Sequence, residues 1–240
     1  MEQENQSINI LNPVSHLAEA YKKLQVNIQI ASTGKKLQVI QITSSEAGEG
    51  KTFTTANLAV VYAAKNKKVI VVDLDFRKPR LHQAFKCEGK PGIIDVLADN
   101  ISLTEAIYHH DSGVDILPRG SKPLNVEVTL ESEQMENLIN ELREQYEIII
   151  LDCPPTMVVT DASVITKLAD GLVFVVAHNH SKKEVVKEAI KRIKSTGINF
   201  LGVVLSRIEK AAERPHYSSG YYYYNYNSYS ESNDNEGGNE

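Results

Sequence analysis

The sequence predicts an α/β domain, a mostly parallel sheet flanked by helices on both faces, followed by a disordered tail rich in tyrosine. Three observations carry this. Five short, continuous apolar runs recur along the chain, the composition of strands buried on both faces of a sheet. Longer segments of helical character separate them, the alternation that builds a parallel sheet through right-handed crossovers. The chain then closes on "RPHYSSGYYYYNYNSYSESNDNEGGNE", where seven of the eleven tyrosines fall between Tyr217 and Tyr229 with no Leu, Ile, Val, Phe or Met among them.

Taken in order, the segment from about Pro13 to Ile30 reads as a leading helix that packs on the sheet or on another subunit. The strands are "LQVIQIT" (Leu37 to Thr43), "KVIVVDLD" (Lys68 to Asp75), "EIIILD" (Glu147 to Asp152), "GLVFVVA" (Gly171 to Ala177) and "NFLGVVL" (Asn199 to Leu205), with "VDILPRG" (Val114 to Gly120) a weaker member. Helical patterns cover Lys51 to Lys65, Glu133 to Gln145 and Lys182 to Ser195. At 240 residues, 42% hydrophobic and 24% charged, the chain has material for one large core. We divide it into a domain over 1–208 and a tail over 209–240. The tail cannot bury enough apolar area to offset its ordering entropy, roughly 1–2 kcal/mol per residue for the backbone, so it is expected to be mobile.

Charge and cysteine content exclude several classes. Of the formal net charge of −5, the tail acids Glu231, Asp234, Glu236 and Glu240 account for all but one unit. The remainder is near balance, with no basic footprint for nucleic acid. Cys87 and Cys153 lie far apart without metal-ligand spacing, which suits a reducing cytosol. No apolar leader or run long enough to cross a bilayer is seen, so a link to a membrane is expected to go through a partner.

The chemistry begins where the first strand ends, in "SSEAGEGKTFTT". In a phosphate loop a strand runs into a Gly-rich turn whose N–H groups wrap phosphate oxygens, while the next helix points its positive end at the same anion. Here the cradle spans Ser45, Ala47, Gly48, Glu49, Gly50, Lys51, Thr52 and Phe53; Lys51 can reach the β- and γ-phosphates and the Thr52 hydroxyl can bind Mg²⁺. The strict G-x-x-x-x-G-K-[ST] pattern has Ser45 at its first position, and the bland alternative is an ordinary Gly-rich turn. Two acidic sites sit where a nucleotide needs them. "VIVVDLDFRKPR" ends a strand with Asp73 and Asp75, which alternation places on one side, and "IIILDCPP" ends another with Asp152. Ligands of open α/β sheets bind at these carboxyl ends. A single such aspartate could merely cap a helix; three beside a phosphate loop are harder to explain that way.

"SSEAGEGKT", "VIVVDLDFR" and "IIILDCPP", followed by the tyrosine cluster, resemble the Walker A, A′ and B motifs of the bacterial tyrosine kinases, specifically the separate cytosolic kinase subunit of capsule or exopolysaccharide systems. The resemblance implies a P-loop NTPase-type sheet, ATP and Mg²⁺ as cofactors, and the metal held by Thr52 and, through waters, by Asp75 and Asp152. It implies that Asp73 receives the acceptor proton, a choice over Asp75 that the residues themselves leave open. It further implies that Tyr217, Tyr221, Tyr222, Tyr223, Tyr224, Tyr226 and Tyr229 are phosphoacceptors served between subunits. The implied partners are a transmembrane polysaccharide co-polymerase acting through its cytosolic segment, an opposing tyrosine phosphatase, and further copies of the chain in a ring, at the inner face of the plasma membrane. Partitioning ATPases of the MinD and ParA type share part of this set and form the alternative, an ATP-driven switch without kinase activity; their signature lysine is replaced here by Glu46.

Three departures from the family pattern stand out. Ala47 takes the place of a usual proline, which loosens the turn. In the leading helix Glu19, Lys22 and Gln25 stand where the family carries E-x-x-R-x-x-R for ring assembly, and lysine cannot reproduce a bidentate arginine contact. After the last strand, Ser206 and Arg207 replace an adenine-reading asparagine, leaving backbone groups and Arg207 for the base. Other features are blander. His178 and His180 read as a solvated loop, His109 and His110 as a turn and Cys153 as a small buried side chain, while Arg77, Lys78 and Arg80 serve a helix entry or subunit contact as readily as a phosphate.

Overall fold

The computed structural model describes residues 16–208 of the 240. The expected tail, its seven tyrosines and the start of the leading helix at Pro13 lie outside the described residues. In chain order the elements are α1 (His16–Ala31), β1 (Val39–Ser44), α2 (Lys51–Ala63), β2 (Val69–Asp73), α3 (Leu81–Ala84), α4 (Ile93–Leu97), α5 (Leu103–Ala106), β3 (Tyr108–His109), β4 (Val114–Leu117), α6 (Val126–Leu130), α7 (Glu133–Gln145), β5 (Ile148–Asp152), α8 (Asp161–Ile165), β6 (Gly171–Ala177), α9 (Lys183–Lys194) and β7 (Phe200–Ser206).

The strands form one sheet ordered β3-β4-β2-β5-β1-β6-β7, parallel throughout except for the β3–β4 pair. Every residue of β1, β2 and β5 is buried, because helices cover both faces. On one face Ile40, Ile42, Val71 and Ile150 pack with α1 and α2 residues such as Ile28, Leu58 and Val61. On the other, Val39, Ile70, Val72 and Leu151 pack with Ile93, Met135, Ile139 and Ile165. Alternate strand residues thus feed opposite cores. β5 and β2 lie on one side of β1 and β6 on the other, so the chain reverses its direction of travel at β1. Such a switch point opens a crevice beyond the carboxyl ends of the strands.

The helices follow the sequence pattern where they are long. In α7, Met135, Leu138, Ile139 and Leu142 are buried at helical spacing, and the Ser132 hydroxyl accepts from the Met135 amide as N-cap. In α1, Ala18, Tyr21, Gln25 and Ile28 form the inward stripe. Gln25 is therefore buried and accepts from the Lys65 ammonium, while Lys22 pairs with Glu19 at 2.6 Å. The last of the three positions expected to meet another subunit faces this chain's own core instead.

Several elements differ from expectation. The second strand stops at Asp73, with Asp75 beyond it, and the weak strand shortens to Val114–Leu117 while still pairing with β2. His109, expected in a turn, lies in the short antiparallel strand β3, its Nδ1 2.5 Å from Asp115 Oδ1. Helices α3 to α6 and α8, of four or five residues each, are too short to show a hydrophobic period.

One half-buried anchor makes a stability prediction. Asp170 Oδ2 accepts from the Gln38 and Val39 amides at 2.8 and 2.7 Å, and its two oxygens take both arms of Arg143 at 2.8 and 2.9 Å. Burial pushes this carboxyl up, but Arg143 and the amides outweigh burial and hold it below the ordinary carboxylate value. Asp170→Asn is expected to cost about 2 kcal/mol in urea unfolding at neutral pH. Because the folded value is lowered, the stabilisation is complete above the unfolded value, roughly pH 4, and is lost as pH falls through the folded one. Equal stability of the two proteins at pH 7 would contradict the anchor.

Candidate active site

β1 runs directly into the loop that precedes α2, and the loop's shape dictates its glycines. Gly48 and Gly50 have φ of 80° and 93°, left-handed conformations that cost little only without a Cβ. Gly50 is also tightly packed, since a Cβ there would lie 3.3 Å from Ser206 Oγ. Ala47 and Gly48 stay open to solvent while Ser45 and Glu49 are buried beneath them. The thirteen-residue α2 then presents its amino end to the loop, an arrangement that attracts anions.

The carboxylates gather around Lys51, which is itself 7% exposed. Asp152, at the end of β5, accepts a long 3.5 Å hydrogen bond at Oδ1 from Thr55 Oγ1, and its Oδ2 is buried without a partner. Burial, with Asp75 adding, raises its carboxyl to about 6 against the opposing pull of Lys51 and the Thr52 and Thr55 hydroxyls. Asp73 is Asp152's register partner on β2. It is fully buried, and burial and the Asp152 charge push its carboxyl well above the ordinary range. Its Oδ1 accepts from the Asp75 amide at 3.2 Å and its Oδ2 from the Leu81 amide at 3.1 Å, so both oxygens shape the turn after β2. Asp75 is more open. Its Oδ1 accepts from the Lys78 amide at 3.0 Å, and burial raises its carboxyl despite Lys51. Since β2 ends at Asp73, strand alternation does not govern the pair, and the two carboxylates have different surroundings.

The structure thus brings Lys51, Asp75 and Asp152 within electrostatic reach of one another, with Thr52 beside Asp152. Glu49 turns its carboxylate under the loop, where it accepts from Ser45 Oγ at 2.8 Å and the Glu46 amide at 2.8 Å. Ser206 Oγ donates to the Glu49 carbonyl at 2.6 Å, so its hydroxyl braces the loop. Arg207, with φ of 53°, places Nη2 3.5 Å from the Cβ position of Gly48, over the loop itself. Of the basic cluster, Arg77 is taken by Asp161 through both arms at 2.7 and 3.1 Å. His178 and His180 are exposed and Cys153 is buried.

Residues that sequence reasoning missed are Thr55, Asp161 and Ser181. Thr55 follows Lys51 by one helical turn and was legible by spacing. The 84-residue separation of Arg77 and Asp161 left no signal.

A cation fits this donor set: Asp152 Oδ2 is buried without a hydrogen-bond partner, and the Thr52 hydroxyl and the Asp75 carboxylate both act on the same carboxyl group. Among the described residues no three His, Cys, Asp or Glu side chains form a closed cage, and Mg²⁺ that keeps waters and phosphate oxygens needs none.

A phosphate loop, a lysine and strand-end carboxylates at the switch point of a parallel sheet define a P-loop nucleotide-binding domain. A family model described as an AAA domain matches residues 37–199. The chain is 34% identical to the tyrosine-protein kinase YwqD of Bacillus subtilis, over 88% of this chain and 91% of that one. It superposes on the chimerical protein CapA2B2 with a TM-score of 0.79 and 32% identity, covering 83% of this chain and 92% of that one. The kinase domain of Escherichia coli tyrosine kinase ETK gives 0.80 and 28% identity over 88% and 83%. The chain belongs to the bacterial tyrosine kinase family. A more distant likeness is the septum site-determining protein MinD of Pyrococcus horikoshii, complexed with Mg-ADP, with a TM-score of 0.60 and 27% identity over 72% of each chain.

Proposed function

We infer that this chain is an ATP-dependent protein-tyrosine kinase that phosphorylates its own cluster Tyr217–Tyr229 between subunits and thereby regulates capsular or exopolysaccharide synthesis. The observation that carries the reading is the buried Asp152 Oδ2 without a partner beside Lys51 and Thr52, at the foot of the phosphate loop. Phosphoryl transfer is mostly positioning and charge neutralisation. The loop amides from Gly48 to Phe53 and the Lys51 ammonium hold the phosphates and stabilise charge that grows on them. Thr52 and, through waters, Asp75 and Asp152 would hold Mg²⁺, which would supply further charge neutralisation. A tyrosine of pKa about 10 needs a carboxylate to take its proton at neutral pH. The resemblance gives this role to Asp73; its enclosure by two backbone amides favours the more open Asp75 as a second reading.

The test is incubation of the chain with Mg-ATP and mapping of phosphotyrosine by mass spectrometry. Phosphotyrosine between Tyr217 and Tyr229 is expected; phosphate release without it would move the chain to the MinD-like switch. Asp75→Asn losing phosphotransfer while binding Mg-ADP with the parent's dependence on Mg²⁺ would give the proton to Asp75; loss of that dependence would keep Asp75 as a metal ligand and leave the proton to Asp73.

The partner is a transmembrane polysaccharide co-polymerase, and a tyrosine phosphatase reverses the reaction. Among the described residues no helix is long and apolar enough to cross a membrane; the placement at the cytoplasmic face rests on that partner. The chain assembles as a ring, and phosphorylation weakens it. Each phosphotyrosine adds about −1.5 to −2 charges to a segment already carrying Glu231, Asp234, Glu236 and Glu240. Light scattering on dephosphorylated and phosphorylated chain is expected to show smaller particles after phosphorylation; unchanged assembly would reject the repulsion.

A further inference from the structure

Glu49 is fully buried, yet it sits under a loop shaped to hold anions. Its Oε1 accepts from Ser45 Oγ at 2.8 Å and from Ser181 Oγ, and its Oε2 accepts from Ser45 Oγ at 3.0 Å and the Glu46 amide at 2.8 Å. Ser181 in turn accepts from the Ala177 amide at 2.9 Å, at the end of β6. The Glu49 carbonyl takes the Ser206 hydroxyl from the end of β7 at 2.6 Å. The loop is thereby pinned at its own entry and to the ends of two neighbouring strands.

A negative charge here opposes phosphate binding by Coulomb's law. What it offers in return is shape. The segment Ala47-Gly48-Glu49-Gly50 has two glycines and no proline, so an unbraced loop has many conformations to lose when its amides converge on phosphate. We propose that Glu49, through Ser45, the Glu46 amide and Ser181, is a positioning residue that holds the phosphate loop in its nucleotide-binding shape, and that this preorganisation outweighs the unfavourable charge. The proposal rests on the nucleotide reading of the loop. It gives Ser181, after the exposed His178–His180 turn, a part in a site it does not touch.

The two effects have opposite signs, and that makes the test sharp. Titration calorimetry of the full chain with Mg-ADP measures affinity without requiring phosphotransfer. Glu49→Ala is expected to weaken binding about tenfold or more, although it removes a negative charge, because a flexible loop must be ordered by the ligand. Ser181→Ala, which leaves every charge in place, is expected to weaken it by a factor of about two to five. Glu49→Gln retains one carbonyl acceptor but turns an amide donor toward groups that already donate, so it is expected to behave like the alanine variant in direction. In turnover assays KM for ATP is expected to rise while KM for a peptide spanning residues 215–230 stays within twofold. A structural role alone would lower urea stability and leave Mg-ADP affinity unchanged in folded variants. Affinity unchanged or tightened in Ser181→Ala and Glu49→Gln overturns the proposal, and these two decide the matter where Glu49→Ala fails to fold. Absence of phosphotyrosine with normal Mg-ADP binding would instead reject the kinase reading and leave the brace intact.

Discussion

Lys51→Met is expected to lower the rate of phosphotyrosine formation at saturating Mg-ATP by a factor on the order of 10³. Lys51 is buried at the start of α2, where its charge acts on both Asp75 and Asp152. A preorganised cation in a water-poor site acts without reorganisation cost as charge grows on the transferring group, and loss of a single such donor costs about 10²–10³ in other systems. Methionine has similar length and an unbranched, adaptable side chain that lacks the ammonium. The consequence for the unliganded protein is smaller: with the ammonium gone, Asp152 and Asp75 lose their opposing charge and take up protons more readily, which relieves the unpaired negative charge. Stability is therefore expected to move by no more than about 1–2 kcal/mol. Phosphorylation by Lys51→Met at a rate within tenfold of the parent chain would remove Lys51 from the reaction.

The division between what was readable in the sequence and what was not follows the range of the interactions. The apolar runs that became β1, β5 and β6 are buried on both sides, so their composition alone marked them. Lys51, Thr52 and the strand-end aspartates were legible because a phosphate site needs a few residue types at fixed local spacing. Strand ends were less so. Alternation was extended to Asp75, but the turn that Asp73 organises with the Asp75 and Leu81 amides stops β2 first. The inward turn of Gln25 depends on Lys65, forty residues away, and the brace under the loop depends on Ser181 and Ser206, more than a hundred away. Sequence spacing holds no information about such contacts. Glu49 shows the limit plainly: spacing assigns it to the loop, while the direction of its side chain is set in part by Ser181, 132 positions away.

Asp152→Asn is expected to abolish phosphotransfer and at the same time to make the unliganded chain more stable at neutral pH. Asp152 is 1% exposed, and burial raises its carboxyl to about 6, with Asp75 adding and Lys51 subtracting. For a carboxyl whose folded value lies above its unfolded one, the folded state binds the proton more tightly, so its contribution is most favourable at low pH. The cost appears as pH rises from the unfolded value of roughly 4 to the folded value and is complete above it. At pH 7.5 the site therefore carries an unfavourable charge, on the order of 1–3 kcal/mol. Asparagine keeps an acceptor for Thr55 and removes the charge, and Asp75 still faces Lys51. In urea unfolding the variant should exceed the parent by about that amount at pH 7.5 and by progressively less toward pH 4. Saturating Mg-ATP should reverse the order, because the charge that destabilises the unliganded domain is the one that the bound cation needs, and a ligand stabilises in proportion to its affinity for the folded state. A parent chain as stable as Asp152→Asn at every pH, or a variant equally stabilised by Mg-ATP, would show that Asp152 is held in the domain for its packing and not for its charge.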